Sequence, residues 1–160
     1  MKILYTAEAL ATGAGREGHV RTSDGLLDLE LARPAAMGGP GGSGGPGGSG
    51  GPGGSGGSDR GTNPEQLFAA GYAGCFHSAL QRVARTSGVS IADSAVGARV
   101  SIGPRTDGVT GFELSIALEV VLPGIAPEVA RALADAAHQI CPYSNAIRGN
   151  VEVAISVVQE

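Results

Sequence analysis

Thr62-Asn63-Pro64-Glu65-Gln66 spells the start of a helix. Asn63 can cap the first free amides, Pro64 suits the first helical position, Glu65 suits the positive end of the helix dipole, and Gln66 can fold back as in a capping box. The run LFAAGYAGCFHSALQRVART carries the helix to a stop at Ser87-Gly88. Its first half is apolar almost all round, and His77, Ser78, Gln81, Arg82 and Arg85 appear only in the second half. A helix of that kind has to enter the middle of a protein, so the rest of the chain must supply its cover. Cys75 sits where the character changes.

The flanking segments read mainly as strands. Met1 to Thr12, His19 to Thr22 and Leu26 to Leu31 mix β-branched, aromatic and polar residues, and Asp24-Gly25 is a hairpin signal. They predict an N-terminal antiparallel meander whose first connection is the loop Gly13 to Gly18. Downstream, Ala95 to Ile102 and Phe112 to Leu122 alternate as strands, joined by a turn over Pro104 to Gly111 with Asp107-Gly108 at its tip. Pro127-Glu128 opens a second helix with Val129, Leu133, Ala136 and Ile140 at helical spacing, and Cys141-Pro142 ends it. Asn150 to Val158 is a last strand, with Val151, Val153, Ile155 and Val157 on one face. The order predicts an α+β fold, antiparallel sheets around a long central helix.

Between Gly38 and Gly57 the chain reads GGPGGS three times and then GG, so 14 of its 28 Gly fall in this one tract. With no side chains to bury, the tract cannot offset the entropy of ordering it, and it reads as a flexible Gly/Pro/Ser-rich loop at 38–58 inside a single domain of 160 residues. Its period of six excludes a collagen triplet, and without a Gly-Lys-Ser/Thr ending it is no phosphate loop.

Fifteen acidic against eleven basic residues give a net charge of −4, and the basic residues are scattered, which excludes a nucleic-acid phosphate surface. No apolar stretch reaches the roughly 20 residues of a membrane span. Glu8 interrupts the one apolar run near the N-terminus, so no secretory signal is read there and a cytoplasmic location is expected.

The two cysteines, Cys75 and Cys141, are 66 positions apart. In a cytoplasmic chain of this size they are either small hydrophobes or agents of redox or metal chemistry. Cys75, His77, His138 and Cys141 would make a zinc set by residue type, but one intervening residue on a helix turns Cys75 and His77 to faces about 160° apart, which argues against a shared metal.

The segments GTNPEQLFAAGYAGCF (61–76) and HQICPYSNAIRGN (138–150) resemble the two cysteine-bearing motifs of the organic hydroperoxide resistance branch of the Ohr/OsmC family. The resemblance covers nearly the whole chain apart from the glycine tract. It implies an Ohr/OsmC-like intertwined homodimer with the active sites between subunits, and a thiol peroxidase that needs no metal, flavin or other cofactor. In it Cys75 is the peroxidatic thiolate, which takes the distal oxygen of an organic hydroperoxide and becomes a sulfenic acid, and Cys141 condenses with it to a disulfide. The family is recycled by dithiols, dihydrolipoamide or a lipoylated protein. Arg16, in AGREG, matches the arginine that stabilises the thiolate, and Glu65 the glutamate that holds it.

Ten residues separate Glu65 from Cys75, about 15 Å on a straight helix. Either the helix breaks near Gly71 or Gly74, or Arg16 reaches across from another element or another chain; the family's dimer favours the subunit interface. Arg82, Arg85 and Arg148 are the substitute cations. Leu67, Phe68, Tyr72 and Phe76 are candidates to line an apolar entrance for alkyl or fatty-acid hydroperoxides. Readings of another kind stand beside the enzyme: a non-enzymatic dimeric redox sensor or apolar-ligand carrier. The OsmC branch shares the fold and the cysteine pair, but NPEQLFAAGYAGC with CPYSNAIRGN leans to the Ohr branch.

Overall fold

The structure, a computed structural model, describes residues 1–39 and 61–159. Apart from its first two glycines, the repeated part of the tract lies outside the described residues, as does most of the loop expected at 38–58. The chain divides into two compact units, Met1–Pro64 and Glu65–Glu160.

The N-terminal unit is an antiparallel meander of β1 (Ala9–Thr12), β2 (His19–Thr22) and β3 (Asp28–Glu30), in that spatial order. Residues 1–8, expected to begin the first strand, carry no regular structure. The β1–β2 connection holds a short 3₁₀ turn, Gly15–Glu17. Gly13 and Gly15 take positive φ of 77° and 64°, and a Cβ on Gly18 would collide with the Thr12 carbonyl, so glycine is demanded on both sides of Arg16. Gly18 is the one buried residue among those described in this unit.

The C-terminal unit holds the core. Helix α1 runs unbroken over Pro64–Thr86, with only its first residue falling in the other unit. Strands β4 (Ala95–Pro104) and β5 (Phe112–Val121) form the expected hairpin; helices α2 (Pro127–Ile140) and α3 (Pro142–Ile147) follow, and β6 (Val153–Val158) closes the chain. One pairing departs from the all-antiparallel expectation. β6 lies parallel to β5, in register from Ile116 opposite Val153 to Val121 opposite Val158. Two helices intervene between these strands, and such a crossover returns the chain to the same end of the sheet, where a tight hairpin would reverse it.

α1 buries Tyr72, Phe76, Ala79, Leu80 and Ala84, a stripe at helical spacing, in one cluster with Ile116, Leu118 and Val120 of β5, Leu122 just past its end, and the buried face of α2. Its apolar first half does not bury all round; small residues, with Ala70 and Gly74 exposed, make up much of the remaining surface. α2 turns Ala130, Leu133, Ala134 and Ala137 inward and leaves Val129 and Ile140 about two-fifths exposed, so its buried face is rotated from the expected one. Phe112, at the hairpin end of β5, is exposed. No helix among the described residues is long and apolar enough to cross a membrane.

Candidate active site

Cys75 is the twelfth residue of α1 and follows exposed Gly74 and precedes buried Phe76. Its thiol therefore sits at the rim of the buried stripe, half-buried and packed against the core. Cys141 occupies the corner between α2 and α3. Its amide donates to the Ala137 carbonyl to close α2, and its own carbonyl accepts from the Asn145 amide to open α3. Pro142 makes the corner: it has no amide to continue α2, yet its fixed φ suits the first position of the next helix. The sequence does not announce α3, because Pro142 reads there only as a stop.

The fold brings these two residues together. The sulfurs are 3.6 Å apart, the Cys141 thiol donating toward Cys75, and both cysteines are free. A disulfide needs about 2.05 Å, so the sulfurs would have to approach by about 1.5 Å to join. Cys141 has no exposed surface, whereas Cys75 keeps some, which fits an outer thiol that meets a reactant and an inner one that meets only its neighbour. Burial pushes the Cys75 thiol above the ordinary range; the Tyr143 amide opposes this, and Cys141 adds to the rise because adjacent sulfurs resist a negative charge.

Next to the thiols lies a polar triad. The Tyr72 hydroxyl and Ser144 Oγ are 2.8 Å apart with both side chains fully buried, and His138 Nδ1 lies 3.0 Å from the same Ser144 oxygen. Arg148 Nη2 donates to the His138 carbonyl at 2.9 Å, satisfying one of the carbonyls left open at the end of α2. Burial raises the Tyr72 hydroxyl pKa against the lowering effect of Ser144, and lowers that of His138, with Arg148 adding to the latter. The Tyr143 ring packs 6.0 Å from Phe68 and 5.9 Å from Tyr72 between centroids.

The other expected site residues fall as follows. Glu65 is the second residue of α1 and half-buried; because α1 does not break at Gly71 or Gly74, it lies about 15 Å along the axis from Cys75. Arg16 is half-buried on the 3₁₀ turn of the N-terminal unit. Leu67 and Phe68 are half-buried, but Tyr72 and Phe76 have no accessible surface. The latter two stand four apart on the inward stripe of α1, within the core cluster. His77 turns to Ser94, 2.9 Å away, and His138 to Ser144, so each imidazole is engaged with a hydroxyl. Of the substitute cations, Arg148 is committed to the His138 carbonyl, while Arg82 and Arg85 are exposed. Sequence reasoning misses Tyr143 and Ser144 and values His138 only as a metal ligand. The available signal is spacing: His138 and Ser144 each stand three residues from Cys141.

Two free thiols lie within contact distance of each other, one half-exposed on a helix and one buried at a helix corner. Residues 56–156 match the model of the OsmC-like protein family. An organic hydroperoxide resistance protein of Xanthomonas axonopodis pv. citri is 41% identical over 157 residues, covering 98% of this chain and 96% of the relative. Among solved structures, an organic hydroperoxide resistance protein of Elizabethkingia anophelis is 41% identical with a TM-score of 0.83, covering all of both chains. One from Legionella pneumophila is 46% identical with a TM-score of 0.80, covering 98% of each. The chain belongs to the OsmC-like family, in its organic hydroperoxide resistance branch.

Proposed function

We propose that the protein detoxifies peroxides as a cysteine-based peroxidase that reduces organic hydroperoxides to alcohols. The Cys75 thiolate attacks the distal oxygen of the hydroperoxide; the O–O bond breaks, the alkoxide leaves with a proton as alcohol, and Cys75 becomes a sulfenic acid. The Cys141 sulfur then attacks the Cys75 sulfur, water leaves, and a Cys75–Cys141 disulfide forms. An external dithiol returns both thiols, itself ending as a disulfide; the proposed reductant is dihydrolipoamide or a lipoylated protein. The observation that carries this reading is the 3.6 Å separation of the two sulfurs, with the inner thiol buried.

A thiolate at a site whose burial raises the thiol pKa needs a cation. Arg16 is proposed for that role, anchored by Glu65, which at its distance along α1 acts only through such an intermediary. Leu67 and Phe68, with Tyr143 beside them, are proposed to meet the alkyl part of the substrate. The two units are proposed to work as one domain of a homodimer. In support, the N-terminal unit leaves Ile3, Leu4, Tyr5, Leu10 and Leu26 largely exposed, and a three-stranded sheet without a buried face is a poor candidate to stand uncovered.

The test is turnover of cumene hydroperoxide with dihydrolipoamide. Cys75→Ser is expected to abolish it, and Cys141→Ser to stop at a trappable Cys75 sulfenic acid; unchanged turnover in Cys75→Ser would overturn the reading.

A further inference from the structure

We propose that Tyr72, Ser144 and His138 form a clasp, unchanged by redox state, that positions Cys141 for disulfide formation with Cys75. The inference rests on the redox pairing of the two thiols set out above and adds the residues that hold it in register.

The geometry is a pair of parallel ties. Tyr72 stands three residues before Cys75 on α1, and Ser144 stands three residues after Cys141 at the start of α3. Three residues make nearly one turn, a rise of about 4.5 Å. The Tyr72–Ser144 hydrogen bond at 2.8 Å and the sulfur contact at 3.6 Å therefore join the same two elements at points one turn apart. One contact is a pivot; two fix both separation and rotation.

A third tie closes the corner. His138 stands three residues before Cys141, in the last turn of α2, and its Nδ1 reaches the same Ser144 oxygen at 3.0 Å. Cys141 is thus flanked on both sides by residues bound to one hydroxyl, across the break that Pro142 makes. Tyr72 and Ser144 have no exposed surface, so water does not compete for these bonds, and losing one leaves a buried hydroxyl without its partner. None of the three side chains gains or loses electrons when the thiols pair. The clasp is positioning machinery: it raises the effective concentration of Cys141 at Cys75, which governs the stability of the disulfide and the speed with which Cys141 intercepts a sulfenic acid before a second peroxide molecule does.

The experiment equilibrates the full chain in glutathione redox buffers, in which the protein dithiol and oxidised glutathione exchange to protein disulfide and two reduced glutathione molecules, and reads the products by alkylation and mass. Tyr72→Phe keeps the ring in the core and leaves Ser144 its bond to His138; the paired Tyr72→Phe, Ser144→Ala variant removes both ties. Both are expected to disfavour the disulfide about three- to tenfold, a rise in midpoint of about 14–30 mV. After a pulse of cumene hydroperoxide, both should show more Cys75 sulfinic acid than the parent, with the first oxidation of Cys75 at the parent rate. A purely structural role would lower thermal stability without moving the glutathione equilibrium of the folded protein. An equilibrium within twofold of the parent in both folded variants would overturn the clasp. The glutathione equilibrium decides this even if hydroperoxide fails to oxidise the parent, an outcome that would sink the peroxidase reading alone.

Discussion

A Cβ placed on Gly71 would lie 3.1 Å from the Tyr143 hydroxyl and 3.3 Å from its ring, so the glycine in the middle of α1 is the seat on which the Tyr143 side chain rests. Alanine in a helix interior gains about 1 kcal/mol over glycine in intrinsic propensity. The Tyr143 ring is about two-fifths exposed and has room to tilt by the few tenths of an ångström required. Its backbone amide, however, favours the charged form of Cys75 against burial, and a shifted Tyr143 loosens that support for the thiolate. Gly71→Ala is expected to leave the thermal midpoint level or raised while slowing Cys75 alkylation by iodoacetamide about two- to fivefold, a partial loss of one amide's support for the thiolate. A fall in thermal midpoint would show that Tyr143 cannot give way.

The two faces of α2 separate by mutation. Leu133 is 4% exposed and Val129 40%, although both fall on the spacing that a helical repeat picks out from the sequence. Leu133→Ala is expected to destabilise the protein by about 2–5 kcal/mol, the cost of a core cavity. Val129→Ala should stay within about 0.5 kcal/mol, as at other surface positions. Urea unfolding of the two variants checks this; equal losses would mean that Val129 is covered in solution.

What could be read from the sequence follows the range of the signals. The ends of α1 are local, written in Asn63-Pro64 and Ser87-Gly88, and the structure starts and stops the helix there. The β4–β5 hairpin is equally local, since Asp107-Gly108 marks its turn. The parallel partner of β5 was hidden, because alternation in Val153, Ile155 and Val157 fixes a face and not a direction. α2 misled because Val129 and Ile140 outweigh alanine in any hydrophobic count, while the close approach of helix to core selected Ala130, Ala134 and Ala137. At the site, the cysteine motifs were legible as words. The Tyr72–Ser144 bond spans 72 positions and exists only once the chain has folded.

His138 sets a dependence on acid. Burial holds its pKa below the ordinary histidine value, so the folded protein binds the His138 proton less tightly than the unfolded chain. Its contribution to stability is whole above the unfolded value, near pH 6.5, and is lost as the pH falls through the lower folded value. Urea midpoints are expected to decline as the pH falls below about 6.5. His138→Gln, which keeps a hydrogen-bonding group toward Ser144 but does not titrate, should flatten that decline; an identical acid limb in the variant would assign the loss to other groups.

Cys75 sets the opposite dependence, and it exposes what Arg16 contributes. Burial raises its thiol pKa, so the reduced fold holds the proton more tightly than the unfolded chain. The associated stability is whole below the ordinary thiol value, about 8.5, and is lost as the pH rises through the folded value. The reduced protein should therefore weaken in alkaline solution, and Cys75→Ser should remove part of that limb. Reactivity runs the other way, because the thiolate attacks and its fraction grows with pH. If Arg16 is the cation that stabilises it, Arg16→Ala moves the midpoint of the alkylation profile to higher pH. Oxidation by cumene hydroperoxide at neutral pH then slows about tenfold for every whole pH step that the midpoint climbs. The pH profile of iodoacetamide alkylation in parent and variant measures this directly. Superimposable profiles would remove Arg16 from the site, and the same measurement on Arg82→Ala and Arg85→Ala would then find the cation that replaces it.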